Sequence, residues 1–230
     1  MTDSNPFDTR YDVYDAWFDE NATVYESELL AIRALLPPAG DWVEIGVGSG
    51  RFASRLGIPV GVEPADGIAT LARARGIRVL KGAAESLPLV NASVDAAFLI
   101  TTLCFIEDMA RAFGEVARVL RPGGCAIVAF LPRDSRFGAL YCEHASDDPF
   151  FSRATLHTKE QVFDAIVAAE LRVERTVQTL TGDPADANDA VESPTEGHGN
   201  GSFVVVRAVK SRKERAIARG RRLTSVPPVS

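Results

Sequence analysis

The sequence has little cysteine: Cys104, Cys125 and Cys142 are the only three in 230 residues. They are scattered, odd in number and form no Cys-x-x-Cys pair, which excludes a disulfide framework and a clustered-thiolate zinc site. Histidine is equally scarce, with only His144, His157 and His198, and no metal site is expected. No apolar run approaches the eighteen or so residues of a membrane-spanning helix. The opening Met1-Thr2-Asp3-Ser4-Asn5-Pro6 is polar and lacks the basic-then-apolar order of a signal peptide. A reduced, cytoplasmic setting is therefore expected, without a membrane partner. An excess of basic charge is also missing. The net charge of −6 disfavours general affinity for nucleic acid, because phosphates repel an acidic surface. The exception is residues 211–230, where Arg212, Lys213, Arg215, Arg219, Arg221 and Arg222 crowd together. This segment reads as a basic, flexible, solvated tail, and any contact with RNA or another anion is expected to be confined to it. The sequence says nothing of oligomeric state.

What remains is ordinary globular composition, 46% hydrophobic and 24% charged, on the scale of one α/β domain. Residues 11–36 read as helix in two pieces, with Tyr25, Leu29, Ile32 and Leu36 recurring on one face. Pro37-Pro38-Ala39-Gly40 stops it. Short apolar runs at 42–45, 59–63, 77–81, 94–101 and 126–131 then alternate with helical segments at 51–56, 68–75 and 106–120, and Arg121-Pro122-Gly123-Gly124 reads as a turn. Strand alternating with helix implies a parallel, doubly wound sheet with right-handed crossovers. After residue 131 the pattern loosens. A helix at 158–168, with Val162, Phe163 and Ile166 inward, precedes two strands at 171–180 and 202–209. Between them, residues 181–201 are rich in Gly, Asp, Asn and Pro and read as a long flexible excursion.

The chemical signal sits in Glu44-Ile45-Gly46-Val47-Gly48-Ser49-Gly50, between an expected strand and an expected helix. A chain turning sharply from strand to helix needs residues tolerant of unusual φ. Bare glycine backbone also lets a ligand lie directly on the chain, with amides at the helix start free to take an anionic group. A dinucleotide fingerprint, Gly-x-Gly-x-x-Gly, would place its third glycine at position 51, where this chain has Arg51. Glu63 closes the second strand, where a doubly wound fold positions an acid to accept hydrogen bonds from ribose hydroxyls.

Five segments occur in order: the glycine loop, Gly61-Val62-Glu63-Pro64, Gly82-Ala83-Ala84-Glu85-Ser86-Leu87-Pro88, Ser93-Val94-Asp95-Ala96-Ala97-Phe98, and a final stretch from Glu115 through Arg121-Pro122-Gly123-Gly124. Together they resemble the successive motifs of the class I S-adenosylmethionine-dependent methyltransferases, in particular the small-molecule "type 11" branch, over roughly residues 10–210. The resemblance implies an α/β, Rossmann-like, doubly wound and mostly parallel seven-stranded sheet, with an antiparallel last strand and an N-terminal helical lid. It implies one domain over 1–210, divided into the lid (1–40), a cofactor-binding half (41–131) and an acceptor-side half (132–210). It also implies S-adenosylmethionine as cofactor, and a small molecule as methyl acceptor.

By the same resemblance, Gly46, Gly48 and Gly50 would pass beneath the methionine part of the cofactor, and Glu44 would orient its ammonium group. Glu63 would hold the ribose diol and Pro64 would border the adenine. Ala84 would present a backbone amide to the adenine ring. Many relatives carry an aspartate where this chain has Ala83, so Glu85 is expected to take the exocyclic amine instead. Thr101, Thr102 and Leu103 would pass near the sulfonium and the incoming substrate. Tyr11 and Tyr14, on the lid, are candidates for contact with the methionine end. Methyl transfer needs no dedicated catalytic residue unless the nucleophile arrives protonated. The candidate base is then His144, in the aromatic region after the fifth strand. His157 reads as structural or exposed, and Cys104 as a buried small residue. Residues 137–141 and the pair Phe150-Phe151 are expected to shape the acceptor pocket. A protein that binds the cofactor without catalysis is the alternative, and a nicotinamide oxidoreductase a more distant one.

Overall fold

The structure, a computed structural model, describes residues 5–145 and 148–212. Most of the basic tail, from residue 213, lies outside the described residues. Three helices open the chain: α1 (Pro6–Thr9), α2 (Tyr11–Glu20) and α3 (Ala22–Arg33). Then come β1 (Trp42–Ile45), α4 (Arg51–Leu56), β2 (Val60–Glu63), α5 (Asp66–Ala74), β3 (Arg78–Lys81), β4 (Val94–Ile100), α6 (Met109–Val119) and β5 (Leu120–Phe130). The last third holds α7 (Arg136–His144), α8 (Lys159–Ala168), β6 (Leu171–Thr179), β7 (Thr195–Glu196) and β8 (Phe203–Lys210).

The strands form one sheet in the order β3-β2-β1-β4-β5-β8-β6-β7. The pairs from β3 to β5 are parallel, and β8 runs antiparallel to both β5 and β6. The expected architecture is therefore present, with eight strands where seven were expected. The additional strand is the two-residue β7, which pairs with β6 through Val177 and Gln178. It comes from residues 181–201, which are tied down rather than flexible. The Glu192 carboxylate accepts hydrogen bonds from the amide and hydroxyl of Thr181, and the Glu192 amide donates to the Ser27 hydroxyl. Polar residues that read as a solvated loop here find partners on α3 and β6.

Two other boundaries differ. Leu120 pairs with Val94 and already belongs to β5, and the sheet register shifts between Val94 and Ala96. The expected turn at 121–124 is thus an irregular start to β5, with Gly123 at φ +86°. Ile106 precedes α6, because the Asp108 side chain accepts from the Arg111 amide and starts that helix later.

The sheet is covered on both faces, as near-continuous apolar strands require. Along β4 the period of two divides the side chains. Ala96, Phe98 and Ile100 face a layer containing Leu29, Ile32 and Phe52, whereas Ala97 and Leu99 face Phe113, Val116 and Ile166. Helix α8 begins at a capping box: Thr158 and Gln161 bond each other's backbone amides. Strand order reverses between β1 and β4, and a doubly wound sheet opens its ligand crevice at that point, beyond the strands' carboxyl ends. Among the described residues no helix is long and apolar enough to cross a membrane.

Candidate active site

The crevice at the switch point is a cavity of about 590 Å³. The loop after β1 forms its floor. Gly46, Gly48 and Gly50 all have positive φ, at +72°, +52° and +79°. At Gly46 a side chain is excluded twice, since a Cβ there would lie 2.1 Å from the Thr102 hydroxyl oxygen, besides the backbone strain. The β1 and β4 loops therefore touch, which draws Thr101 and Thr102 to the cavity. Thr101 itself has φ +50°, an unusual conformation for a β-branched residue, held by its amide donating to the Ala129 carbonyl.

Two carboxylates are buried here. Glu63 is 8% exposed, and its oxygens accept from the amides of Gly48 (2.9 Å) and Ala65 (3.0 Å). These bonds fix its orientation and leave each oxygen one further acceptor site. Burial pushes the Glu63 carboxyl up from its ordinary value, while the Ala65 and Gly48 amides pull it back. Glu44 is 2% exposed, and its Oε2 has no hydrogen-bond partner among the described residues. Burial holds its carboxyl well above the usual range; the Ala53 amide opposes this and the charge of Glu63 adds to it. A buried acceptor oxygen left without a partner at the edge of a cavity is costly unless a ligand donates to it.

Pro64, Ala84 and Glu85 line the same cavity. One Glu85 oxygen accepts from the amides of Glu107 (3.0 Å) and Asp108 (3.4 Å), which ties the loop after β3 to the start of α6.

The lid closes over both this cavity and a second one. Tyr14 and Phe18 from α2 line both, together with Thr101 and Phe105. The Tyr14 ring packs edge-on against Phe7 and Phe18 and against Phe150 across the cavity, at centroid distances of 5.2, 5.7 and 5.3 Å. Burial raises its phenol well above the ordinary value; the neighbouring Cys104, Glu28 and Glu63 add to this and a hydrogen bond with Thr101 opposes it. Tyr11 is not among the residues lining either cavity. An ionic latch secures α2. Arg51, at the start of α4, donates to Asp15 and Asp19 at 2.6–3.0 Å, and Arg75 reaches Asp15 at 2.7 Å. Arg51, conspicuous in the sequence only because it breaks the dinucleotide pattern, is the pivot of that latch.

The second cavity encloses about 210 Å³ and is strongly aromatic. Phe137, Tyr141, Phe150 and Phe151 line it, as expected of the region after β5, and so does Leu103, which borders this cavity and not the first. His144 is not brought there: it is exposed at the end of α7, with Nδ1 3.0 Å from the Leu140 carbonyl of its own helix. The histidine at the cavity is His157, whose buried Nε2 has no partner among the described residues. Burial lowers its imidazole below the ordinary value, against a hydrogen bond to Leu103 and with help from Arg133. No periodic pattern marks this position, so the sequence carries no signal for it. Cys104 also lines the cavity, but burial pushes its thiol up to about 12, which rules out thiolate chemistry near neutral pH. Glu28 was missed as well. It falls on the inward stripe of α3, three residues after Tyr25 and four before Ile32, and a charged residue on an apolar stripe is the signal that would have found it.

Similarity to known proteins agrees with this geometry. A family model described as "Methyltransferase domain" matches residues 43–128, from β1 into β5. An uncharacterized protein of Methanocaldococcus jannaschii is 35% identical over 206 residues, spanning 90% of this chain and 99% of that protein. The crystal structure of an S-adenosylmethionine-dependent methyltransferase from Thermotoga maritima, described as a possible histamine N-methyltransferase, is 41% identical. It superposes with a TM-score of 0.85 over 89% of this chain and 98% of that one. The malonyl-[acyl-carrier protein] O-methyltransferase of Methylococcus capsulatus is 35% identical over 122 residues, about half of each chain. Near-complete overlap at this identity settles kinship as well as fold: the chain belongs to the S-adenosylmethionine-dependent methyltransferases, and it is an enzyme that uses that cofactor.

Proposed function

We propose that the enzyme transfers a methyl group from S-adenosylmethionine, lying in the larger cavity, to a small molecule seated in the smaller, aromatic one. The observation that carries this reading is that the two cavities are adjacent, with Tyr14, Phe18, Thr101 and Phe105 in the walls of both. A cofactor on one side of that junction and an acceptor on the other would face each other there. The donor set of the larger cavity fits the cofactor. Glu44, with a buried oxygen lacking a partner, would accept from the ammonium group, and Gly46, Gly48 and Gly50 would lie beneath the methionine part. Glu63 would use its two remaining acceptor sites for the ribose diol. Pro64, Ala84 and Glu85 would border the adenine, with Glu85 offering the oxygen not already used by Glu107 and Asp108. Thr101 and Thr102 would flank the sulfur, with Tyr14 above it. Bound there, the cofactor supplies a methyl carbon already activated by positive sulfur.

The protein's task is then alignment and exclusion of water. Holding the two reactants in line can account for about 7–11 kcal/mol of barrier lowering in favourable cases. The lid, latched through Arg51, would keep the junction dry, which favours a transition state in which charge is dispersed. In this reading residues 41–131 hold the cofactor, and the acceptor side draws on 132–210 together with α2 and α3. Cofactor binding without turnover is disfavoured by the second cavity itself, which a pure binding protein would not need.

Isothermal titration calorimetry with S-adenosylhomocysteine, and NADH as control, tests the cofactor half. Binding of the first at micromolar levels and none of the second is expected. NADH binding without S-adenosylhomocysteine binding would defeat the assignment.

A further inference from the structure

The smaller cavity has a pronounced chemical character. Its walls are largely aromatic, yet α3 presents Glu28 to it, 3% exposed. Among the described residues no hydrogen bond or ion pair reaches the Glu28 carboxylate, and burial alone pushes its carboxyl up, to about 8. The lining holds no lysine or arginine, while Glu20 and Asp148 add two further carboxylates. Asp148 is already engaged, accepting from the amides of Phe150 and Phe151 at 2.7 and 2.9 Å. The other titratable groups facing the space are Tyr14, Tyr141, Cys104 and His157. Burial raises the first three and lowers His157, so all four are held in their neutral forms. A buried carboxyl with no cation of its own, ringed by aromatic faces, stays protonated near neutral pH and can exchange that proton for a bound cation. Aromatic faces attract cations through their quadrupole, and acidic walls of low dielectric concentrate them.

We propose that the acceptor is a small amine with an apolar or aromatic body, and that Glu28 holds its nitrogen in the aromatic cavity. This rests on the assignment of that cavity to the acceptor. The amine enters as an ammonium ion, Glu28 gives up its proton to solvent, and the ion pair that results brings no net charge into the cavity. One N–H proton passes to a Glu28 oxygen, which frees the nitrogen lone pair. That lone pair forms the new C–N bond while the C–S bond breaks and its electrons return to sulfur. A neutral thioether and a positively charged methylammonium product result. The aromatic walls suit that product too, since methylation disperses its charge without removing it. His157, neutral and with a free Nε2, sits in the same space as an acceptor for a second polar group on the body of the amine.

The test uses the full chain saturated with S-adenosylhomocysteine. Trp17 lies in the cavity wall, so its fluorescence reads occupancy of the acceptor site directly. The probes are phenethylamine, benzylamine and tetramethylammonium, with 2-phenylethanol and benzyl alcohol as neutral counterparts. At least one cation should bind, with an affinity about tenfold or more above that of its neutral counterpart, and Glu28→Gln should abolish that margin while leaving S-adenosylhomocysteine binding intact. Alcohols binding as well as amines, no cation binding at all, or an undiminished margin in the variant would each overturn the proposal. The comparison of amine with alcohol in the unaltered protein decides the matter even if the variant fails to fold. Loss of S-adenosylhomocysteine binding by the unaltered protein is a separate result, and it would remove the cofactor assignment instead.

Discussion

Replacing Glu28 with glutamine should change how the stability of the ligand-free protein depends on pH. Glu28 is almost fully buried and has no cationic partner, and its carboxyl rises from 4.5 to about 8 in the folded state. A carboxyl whose value rises on folding favours the folded state in its protonated form. Its contribution is complete below about pH 4.5 and is lost as the pH climbs through about 8. The full span is 3.5 units, or about 5 kcal/mol at roughly 1.4 kcal/mol per unit, a ceiling because the cavity admits water. Between about pH 6 and about pH 9 the wild type should lose about 2.7 kcal/mol that the Glu28→Gln variant retains. For a domain of this size that is a relative fall in Tm of about 5–11 °C. Melting curves of both proteins across that range, by differential scanning calorimetry without ligand, read it directly. Glu44 and Glu63 also titrate upward, so both curves will slope, and the difference between them isolates Glu28. Parallel curves would refute the claim that Glu28 is buried without a counter-charge, and would weaken the case for a cationic acceptor.

The other expectations concern the cofactor side and the lid. Glu63→Ala should weaken S-adenosylhomocysteine binding by roughly 1.5–3 kcal/mol, about 10–150-fold, through loss of charge-assisted hydrogen bonds; unchanged affinity by calorimetry would defeat the ribose assignment. Gly46→Ala should cost about 1–3 kcal/mol of stability and abolish measurable cofactor binding, since its Cβ would meet Thr102 at 2.1 Å and its φ is +72°; a variant that melts and binds like the wild type would show that the β1 and β4 loops do not touch. Arg51→Met should lower stability by about 1–3 kcal/mol, through loss of the contacts to Asp15 and Asp19, and should speed cofactor release; equal melting temperature and release rate would mean that α2 needs no latch. Burial pushes the Asp15 carboxyl up, but hydrogen bonds from Arg51, Ser49 and Arg75 outweigh it and hold the group below its ordinary value, so the latch should weaken as the pH falls below about 4; proteolysis of the lid with an acid-active protease across a pH series should speed up there, and an unchanged rate would refute it.

Much of the larger cavity was legible in the sequence. Apolar runs entering a glycine loop, and an acid closing the next strand, are local signals, because a strand-to-helix turn and a strand end are decided by neighbouring residues. The resemblance over five ordered segments extended them to Pro64, Ala84, Glu85, Thr101 and Thr102, and all of these line one cavity. The smaller cavity was legible only in outline: aromatic residues after β5 were expected to shape a pocket, and Phe137, Tyr141, Phe150 and Phe151 line it. His144, singled out in the sequence, is carried to the surface by a helical turn, whereas the loop before α8 places His157 in the cavity wall.

Local pattern along the chain sufficed for the alternation of strand and helix, the glycine loop and the acid that closes β2, since these depend on residues within a few positions of one another. Long-range folding alone set the burial of Glu28 beside the aromatic cavity, the Asp15–Arg51–Arg75 latch, the anchoring of residues 181–201 and the wall that two cavities share at Tyr14 and Thr101. Those features join groups as far apart as 36 positions (Asp15 and Arg51), 60 (Asp15 and Arg75) and 165 (the Ser27 hydroxyl and the Glu192 amide). No periodicity records such pairings; they arise when the sheet brings α2, α3 and the loop after β5 over the same end of β1 and β4, where burial then raises the carboxyls of Glu28, Glu44 and Glu63.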